Sequence, residues 1–184
     1  MDRLTVYLVR HLRTIDNLKQ RYSDASDPPL IEAPEITPLR HRIEASKVIC
    51  SPLKRARQTA ERWFPGITPK IEAGLTEIDF GLFAGKTADD LKDDLHYRAW
   101  VNSGCLADIP EGETFHHFNR RVSDAFLRHL ADHTVFVTHA GPIMSILEAF
   151  ADTPRFTTSV DNGQIVEIQW STTLQHIVAF EVLR

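Results

Sequence analysis

Apolar residues follow two rhythms along this chain. Thr5 to Val9, Lys47 to Cys50 and Thr134 to Val137 are short, rich in β-branched residues and apolar at nearly every position. That pattern predicts strands of a parallel sheet covered on both faces, because a strand with one wet face would alternate. Thr114 to Ala131 instead carries Phe115, Phe118, Val122, Ala125, Phe126 and Leu130 on a helical period, which predicts a helix with one core-facing stripe. Pro52 to Phe64 follows Ser51 and opens on a proline, an N-cap and first-turn pair that predicts a second helix; Pro142 to Ala151 reads as a third. Near the end, VEIQW and LQHIVAF are separated by Ser171, Thr172 and Thr173, which predicts an antiparallel hairpin. The expected fold class is therefore α/β: three layers, α/β/α, with a mostly parallel central sheet and an antiparallel edge hairpin. The proline-rich, acidic stretch Arg21 to Pro38 fits neither rhythm and predicts a surface loop bordering a site.

Composition narrows the function classes. The 184 residues suit a single domain spanning 1–184, with no repeat, low-complexity tract or Gly/Ser linker to divide it. The formal net charge is −4 and the basic residues form no long run, which argues against a nucleic-acid partner. Cys50 and Cys105 lack metal-type spacing, and no apolar run is long enough for a signal peptide or membrane span. The expectation is a cytoplasmic protein with no membrane partner, either monomer or homodimer.

The strand ends carry the candidate chemistry. In open α/β sheets, ligands bind beyond the carboxyl ends of the strands. The first predicted strand ends in Arg10-His11, the second in Ser51 with Arg55 one helical turn further on, and the third in Thr138-His139. Alone, each has a bland reading: a solvated strand exit, a helix-surface cation, a buried histidine bonded to backbone. Brought to one edge, two guanidiniums and two imidazoles would repel unless an anion sat between them, and phosphate accepts arginine's forked hydrogen bonds well. Ala140 and Gly141 lead into a helix whose N-terminal N–H groups would face the same anion, and Asn17 could add a neutral donor.

On these residues the chain resembles the histidine phosphatase superfamily, also called phosphoglycerate mutase-like, over nearly its whole length. LVRH (Leu8 to His11), with Thr14 and Asn17 after it, is similar to the family's Arg-His-Gly signature; SPLKRARQTAE (Ser51 to Glu61) resembles its second motif. LTEIDFGLFAG (Leu75 to Gly85) resembles the segment with the acidic residue, and VTHAGP (Val137 to Pro142) the second histidine motif. The resemblance implies a phosphohistidine on His11, phosphate held by Arg10, Asn17, Arg55, His139 and the Ala140 backbone, and proton transfer by Glu77. It implies no metal and no cofactor, since the arginines and helix start supply positive charge. The expected partner is a small phosphorylated substrate, with α-ribazole-5′-phosphate one candidate. Hydrolysis is the leading expectation, because the insertion at about 86–110 is too short for the enclosure that mutases use to exclude water. Phosphoglycerate mutase-type transfer and an impaired phosphate-binding module are the alternatives.

Two positions depart from the pattern. Leu12 replaces the glycine that follows the nucleophile, and Ala84 stands where many members have glutamate before Gly85. A leucine there is expected to crowd or reshape the phosphate loop. His129 and His133 lie four apart, with His116 and His117 nearby, but no acidic ligand shares their spacing; a solvated or packed helix face is the favoured reading over a metal pair. Phe83, Tyr97 and Trp100 are candidates for a substrate lid or for core; PEGETF (Pro110 to Phe115) resembles the family's Gly-Glu-Ser segment, with Glu113 and Thr114 expected as caps of the helix that follows and a contact to the site as the alternative.

Overall fold

The computed structural model describes residues 2–23, 27–31 and 43–183, so most of the stretch expected as a surface loop at Arg21 to Pro38 lies outside the described residues. A six-stranded sheet has the order β3-β2-β4-β1-β5-β6. Its parallel part comprises β1 (Arg3–Arg10), β2 (Lys47–Cys50), β3 (Lys70–Ile71) and β4 (Thr134–Thr138), and the antiparallel pair is β5 (Ile165–Ser171) and β6 (His176–Leu183). The mixed α/β sheet and its edge hairpin thus match the pattern read from the apolar runs.

Those runs are continuous because both faces of the sheet are dry. Val6, Leu8, Ile49 and Phe136 face α5 (Phe115–His129) and α6 (Ala140–Phe150), joining Val122, Phe126 and Ile143 in one core cluster. Tyr7, Val9, Val48, Cys50, Val135 and Val137 face the other way, onto Ala56, Ala60 and Trp63 of α2 (Lys54–Trp63). Side chains on a strand alternate faces, so each run supplies both layers at once.

Two helix starts differ from expectation. Ser51 does not cap α2: the N-cap is Leu53, without a side-chain bond, and the Lys54 N–H is taken by the Asp27 carboxylate from the loop. Ser51 Oγ is instead occupied by His139, described below. The helix expected from Pro142 begins at Ala140, which puts His139 at its N-cap and Pro142 inside the first turn, where a missing N–H costs nothing.

Residues 86–110 hold two short helices, α3 (Ala88–Leu91) and α4 (Leu95–Asn102), started by Thr87 and Asp94 side chains. Leu91, Tyr97 and Trp100 pack with Phe83 and Ile109 into a third, separate cluster. Between β1 and this segment, α1 (Ile15–Leu18) is a single turn held by a reciprocal Thr14–Asn17 capping box.

Candidate active site

Parallel register brings three strand ends level. Arg10 pairs with Thr138 and Cys50 with Val137, and the ladder continues one step further through His11 N–H to Thr138 O (2.9 Å) and Ser51 N–H to Val137 O (3.0 Å). Arg10, His11, Ser51 and His139 therefore emerge along one edge, and α2 adds Arg55 from its first turn.

His11 is 3% exposed and its Nδ1 donates to Leu12 O at 2.6 Å, which fixes the tautomer and leaves Nε2 as the unprotonated nitrogen. Burial, and then the charges of Arg55 and Arg10, push its pKa down to about 3 against the pull of the Leu12 carbonyl, so the ring is neutral at physiological pH. His139 is fully buried, with ring centroid 5.1 Å from that of His11. Burial lowers its pKa as well, assisted by His11 and the arginines. Its Nδ1 accepts from Arg55 Nε (3.3 Å), so its Nε2 carries the hydrogen that Ser51 Oγ receives at 2.8 Å. Expected as a phosphate ligand, His139 here spends both nitrogens on neighbours, and only the Nε2–H could be redirected, by rotation of the Ser51 hydroxyl away.

The two guanidiniums are each partly committed. Arg55, 2% exposed, gives Nη1 to Asp27 Oδ1 at 2.9 Å. Arg10 gives Nη1 to Val160 O at 2.7 Å. Arg55 Nη2 and Arg10 Nε are buried and have no partner among the described residues. A buried cationic donor without an acceptor is costly, and an oxyanion at this edge would satisfy both.

Glu77 lies across from them. Its Oε1 accepts the Ile78 N–H (3.0 Å) and its Oε2 the Gly141 N–H in the first turn of α6 (3.2 Å). A Cβ on Gly141 would stand 2.1 Å from Glu77 Oε1, so the glycine exists for this approach. The Ala140 N–H lies beside it at the helix start.

Asn17 is engaged through its amide oxygen. Its Oδ1 accepts from Thr14 N–H (2.9 Å) and from Asn162 Nδ2 (3.2 Å), and Asn162 Nδ2 also reaches His11 O at 3.0 Å. Asn17 thus braces the loop behind the nucleophile. Asn162, Asp27 and the Val160 carbonyl were not legible as site groups, and Ser51 was placed at this edge but not as the partner of His139, because each acts on a catalytic candidate distant in sequence.

Leu12 does not crowd the phosphate edge. Its side chain is 4% exposed within the α2-side core, where its Cδ2 would lie 3.0 Å from a Cβ on Gly163 and where Trp63 lines the same space. Leu12 has no positive φ; Gly163 does, at +79°. The conformational freedom missing at position 12 is used at position 163. Ala84 is half-buried at the end of the turn Gly81–Phe83, its N–H bonded to Gly81 O at 3.1 Å, and none of its hydrogen bonds reaches the catalytic edge.

Next to Glu77, Ala140 and Gly141 opens a cavity of about 410 Å³ walled by Tyr22, Phe80, Tyr97, Trp100, Phe115, Phe118 and Phe156. A smaller one of about 200 Å³, lined by Arg10 and Val160, shares Ala140, Met144 and Phe156 with it. Tyr97 and Trp100 therefore serve both readings given to them, packing on each other and facing the cavity; Phe83 stays in the cluster behind. Arg155 is the cation in this wall, ion-paired to Glu148 and stacked over Phe115. Among the histidines, His129 is buried and bonded through Nε2 to Glu72 (2.7 Å), not directed at His133.

The family model for the histidine phosphatase superfamily, branch 1, matches residues 6–182. The chain belongs to that superfamily. It is 30% identical over 163 residues to the adenosylcobalamin/α-ribazole phosphatase of Escherichia coli K12, covering 79% of this chain and 78% of the relative. A crystal structure of a candidate α-ribazole-5′-P phosphatase from Escherichia coli K-12 superposes with a TM-score of 0.82 at 25% identity, covering 98% of this chain and 96% of the other. A phosphoglycerate mutase from Thermus thermophilus superposes at 0.77 with 27% identity, over 98% of this chain and 100% of the other. Superfamily relatives are thus phosphatases and mutases, and this chain is an enzyme of that kind. No helix among the described residues is long and apolar enough to cross a membrane.

Proposed function

We propose that the protein hydrolyses small phosphomonoesters through a phosphohistidine at His11 Nε2. The observation that carries this is a buried, neutral His11 with Nδ1 committed to Leu12 O, flanked by two guanidiniums that each keep one buried nitrogen without a partner among the described residues. Nε2 attacks phosphorus and forms the P–N bond as the P–O bond to the alcohol breaks; Glu77, in its acid form, gives the departing oxygen its proton. The ring gains positive charge in that step, which strengthens the Nδ1–H bond to Leu12 O. Arg10, Arg55, the Ala140 N–H and, once Ser51 rotates, the His139 Nε2–H hold the phosphoryl oxygens. The Glu77 carboxylate then takes a proton from water attacking phosphorus, the P–N bond breaks, and inorganic phosphate leaves with His11 neutral again. The positive charge comes from side chains, so the reaction as written uses no metal ion.

The cavity supports a ring-bearing alcohol. An aromatic wall suits a planar apolar group better than the short, carboxylated chain of a phosphoglycerate, and its cation, Arg155, is already paired. That, with the relatives named above, makes α-ribazole-5′-phosphate the first substrate to test, and favours hydrolysis over transfer. Acid-quenched enzyme should not retain label from a phosphomonoester, because phosphohistidine is acid-labile, whereas alkali-quenched enzyme should; His11→Ala should abolish both label and turnover. Turnover that survives His11→Ala would refute the reading, and label transferred to a second position of the substrate rather than released would make the protein a mutase.

A further inference from the structure

Arg121 lies on α5, outside the phosphate edge, and every nitrogen of its guanidinium is used. Nε and Nη2 hold the two carboxylate oxygens of Glu113, both at 2.7 Å. Nη1 donates to Gly74 O (3.0 Å) and Thr76 O (2.7 Å), and Nη2 also to Glu77 O (3.0 Å). The fork thus meets one carboxylate and three carbonyls of the segment that ends in Glu77, an arrangement only a planar guanidinium can make. The same segment is pressed onto α5: a Cβ on Gly74 would stand 2.6 Å from Ala125 Cβ and 2.8 Å from Arg121 O. Glu113 is 11% exposed and also receives His117. Its burial would raise its pKa, yet Arg121 and His117 hold it below the usual carboxylate range, so the anion that orients the fork persists at neutral pH.

Neither residue has a hydrogen bond to Arg10, His11, Arg55 or His139 among the described residues; their side-chain bonds go to each other, to His117 and to the segment that ends in Glu77. We propose that the Arg121–Glu113 pair is a positioning device for proton transfer: it fixes the backbone at Glu77, and through it the carboxylate held against Gly141. This rests on the reading of Glu77 as proton donor. The two anchors of Glu77 divide the task. Gly141 N–H sets the carboxylate from the α6 side, while Arg121 sets the main chain from α5. A shift of about 1 Å in a catalytic group is enough to cost on the order of a hundredfold in rate.

The test is the dependence of kcat/KM on the leaving group, because a general acid matters for a poor leaving group and little for an activated one. Glu77→Gln, Arg121→Lys and Glu113→Gln are compared with the natural protein on 2,4-dinitrophenyl phosphate and on an alkyl phosphate, below the melting temperature of each variant. Glu77→Gln sets the benchmark, with loss confined to the alkyl ester. Arg121→Lys and Glu113→Gln should lose about tenfold or more on the alkyl ester and less than about threefold on the activated one, part of the ~10²–10⁴-fold that acid catalysis contributes. Equal losses on both esters, or none on either, while Glu77→Gln shows the benchmark pattern, would overturn the positioning role alone. A Glu77→Gln variant without leaving-group dependence would overturn the acid assignment and this inference together. Glu113→Gln keeps the side-chain shape but turns one acceptor oxygen into an NH2 that faces an Arg121 N–H, breaking the fork without removing bulk, so it decides the matter should Arg121→Lys fail to fold.

Discussion

Leu12→Gly installs the glycine that the resemblance to the family signature leads one to expect after the nucleophile, and the packing around position 12 makes the exchange harmful. The leucine side chain is 4% exposed, and it fills space between Trp63 and Gly163 in the α2-side core. Emptying such a site costs about 2–5 kcal/mol in lost transfer and packing, and the added chain freedom of glycine about 0.5–1 kcal/mol more. A total of about 2.5–6 kcal/mol lowers the melting temperature of a chain this long by roughly 5–24 °C. The backbone groups of residue 12 are unaffected: its N–H still reaches Thr59 Oγ1 (2.9 Å) and its carbonyl still receives His11 Nδ1. Turnover measured well below the melting temperature should accordingly stay within about threefold of the natural protein, less than about 1 kcal/mol in transition-state stabilisation. Urea or thermal melts give the first quantity and kcat/KM on one phosphomonoester the second. A Leu12→Gly protein as stable as the natural one, with turnover raised about tenfold, would refute this reasoning and show that the leucine obstructs the phosphate.

Acid should unfold the protein early. The His11 pKa of about 3 in the fold lies below the ordinary 6.5, so the unfolded chain binds a proton that the fold refuses; stability is intact above pH 6.5 and falls with pH below it, by about 2 kcal/mol at pH 5 from this ring, with His139 adding in the same direction. His11→Asn should flatten that slope in urea melts from about pH 7.5 to 5, and an unaltered slope would contradict the assignment. Asp27→Asn removes the charge that holds Arg55 Nη1 and the Lys54 N–H, so stability should drop by about 1–3 kcal/mol and kcat/KM by roughly tenfold; unchanged kcat/KM would mean Arg55 needs no such anchor. Phe156 is 58% exposed yet lines the cavity, so Phe156→Ala should leave the melting temperature in place while raising KM for a ring-bearing ester by about 2–10-fold, with glycerol phosphate unaffected; equal effects on both esters would remove the ring-binding assignment.

The parts of this molecule that could be read from sequence are those governed by local periodicity. Continuous apolar runs announced strands covered on both sides, and Lys47–Cys50 came out residue for residue, because a strand buried on two faces tolerates no polar interruption. Helix starts were read less well. Ser51 before Pro52 has the local chemistry of an N-cap, but the hydroxyl had a stronger claimant in a fully buried imidazole, and a distant aspartate took the helix N–H instead. The same competition separates charges from their roles. Arg10, Arg55, His11 and His139 could be assigned to one edge from strand order alone, whereas which of their nitrogens remain free depends on Val160, Asp27, Leu12 and Ser51, and those partners decide the tautomer and hence the nucleophile. Glu113 was legible as a cap candidate or site contact, but its pairing with Arg121, eight residues on, was not. Their meaning lies in the carbonyls of Gly74, Thr76 and Glu77, far upstream, where no periodicity reaches. The missing glycine at position 12 has the same cause: close approach is a property of two segments, and here the chain meets it at Gly163, from the opposite side of the contact.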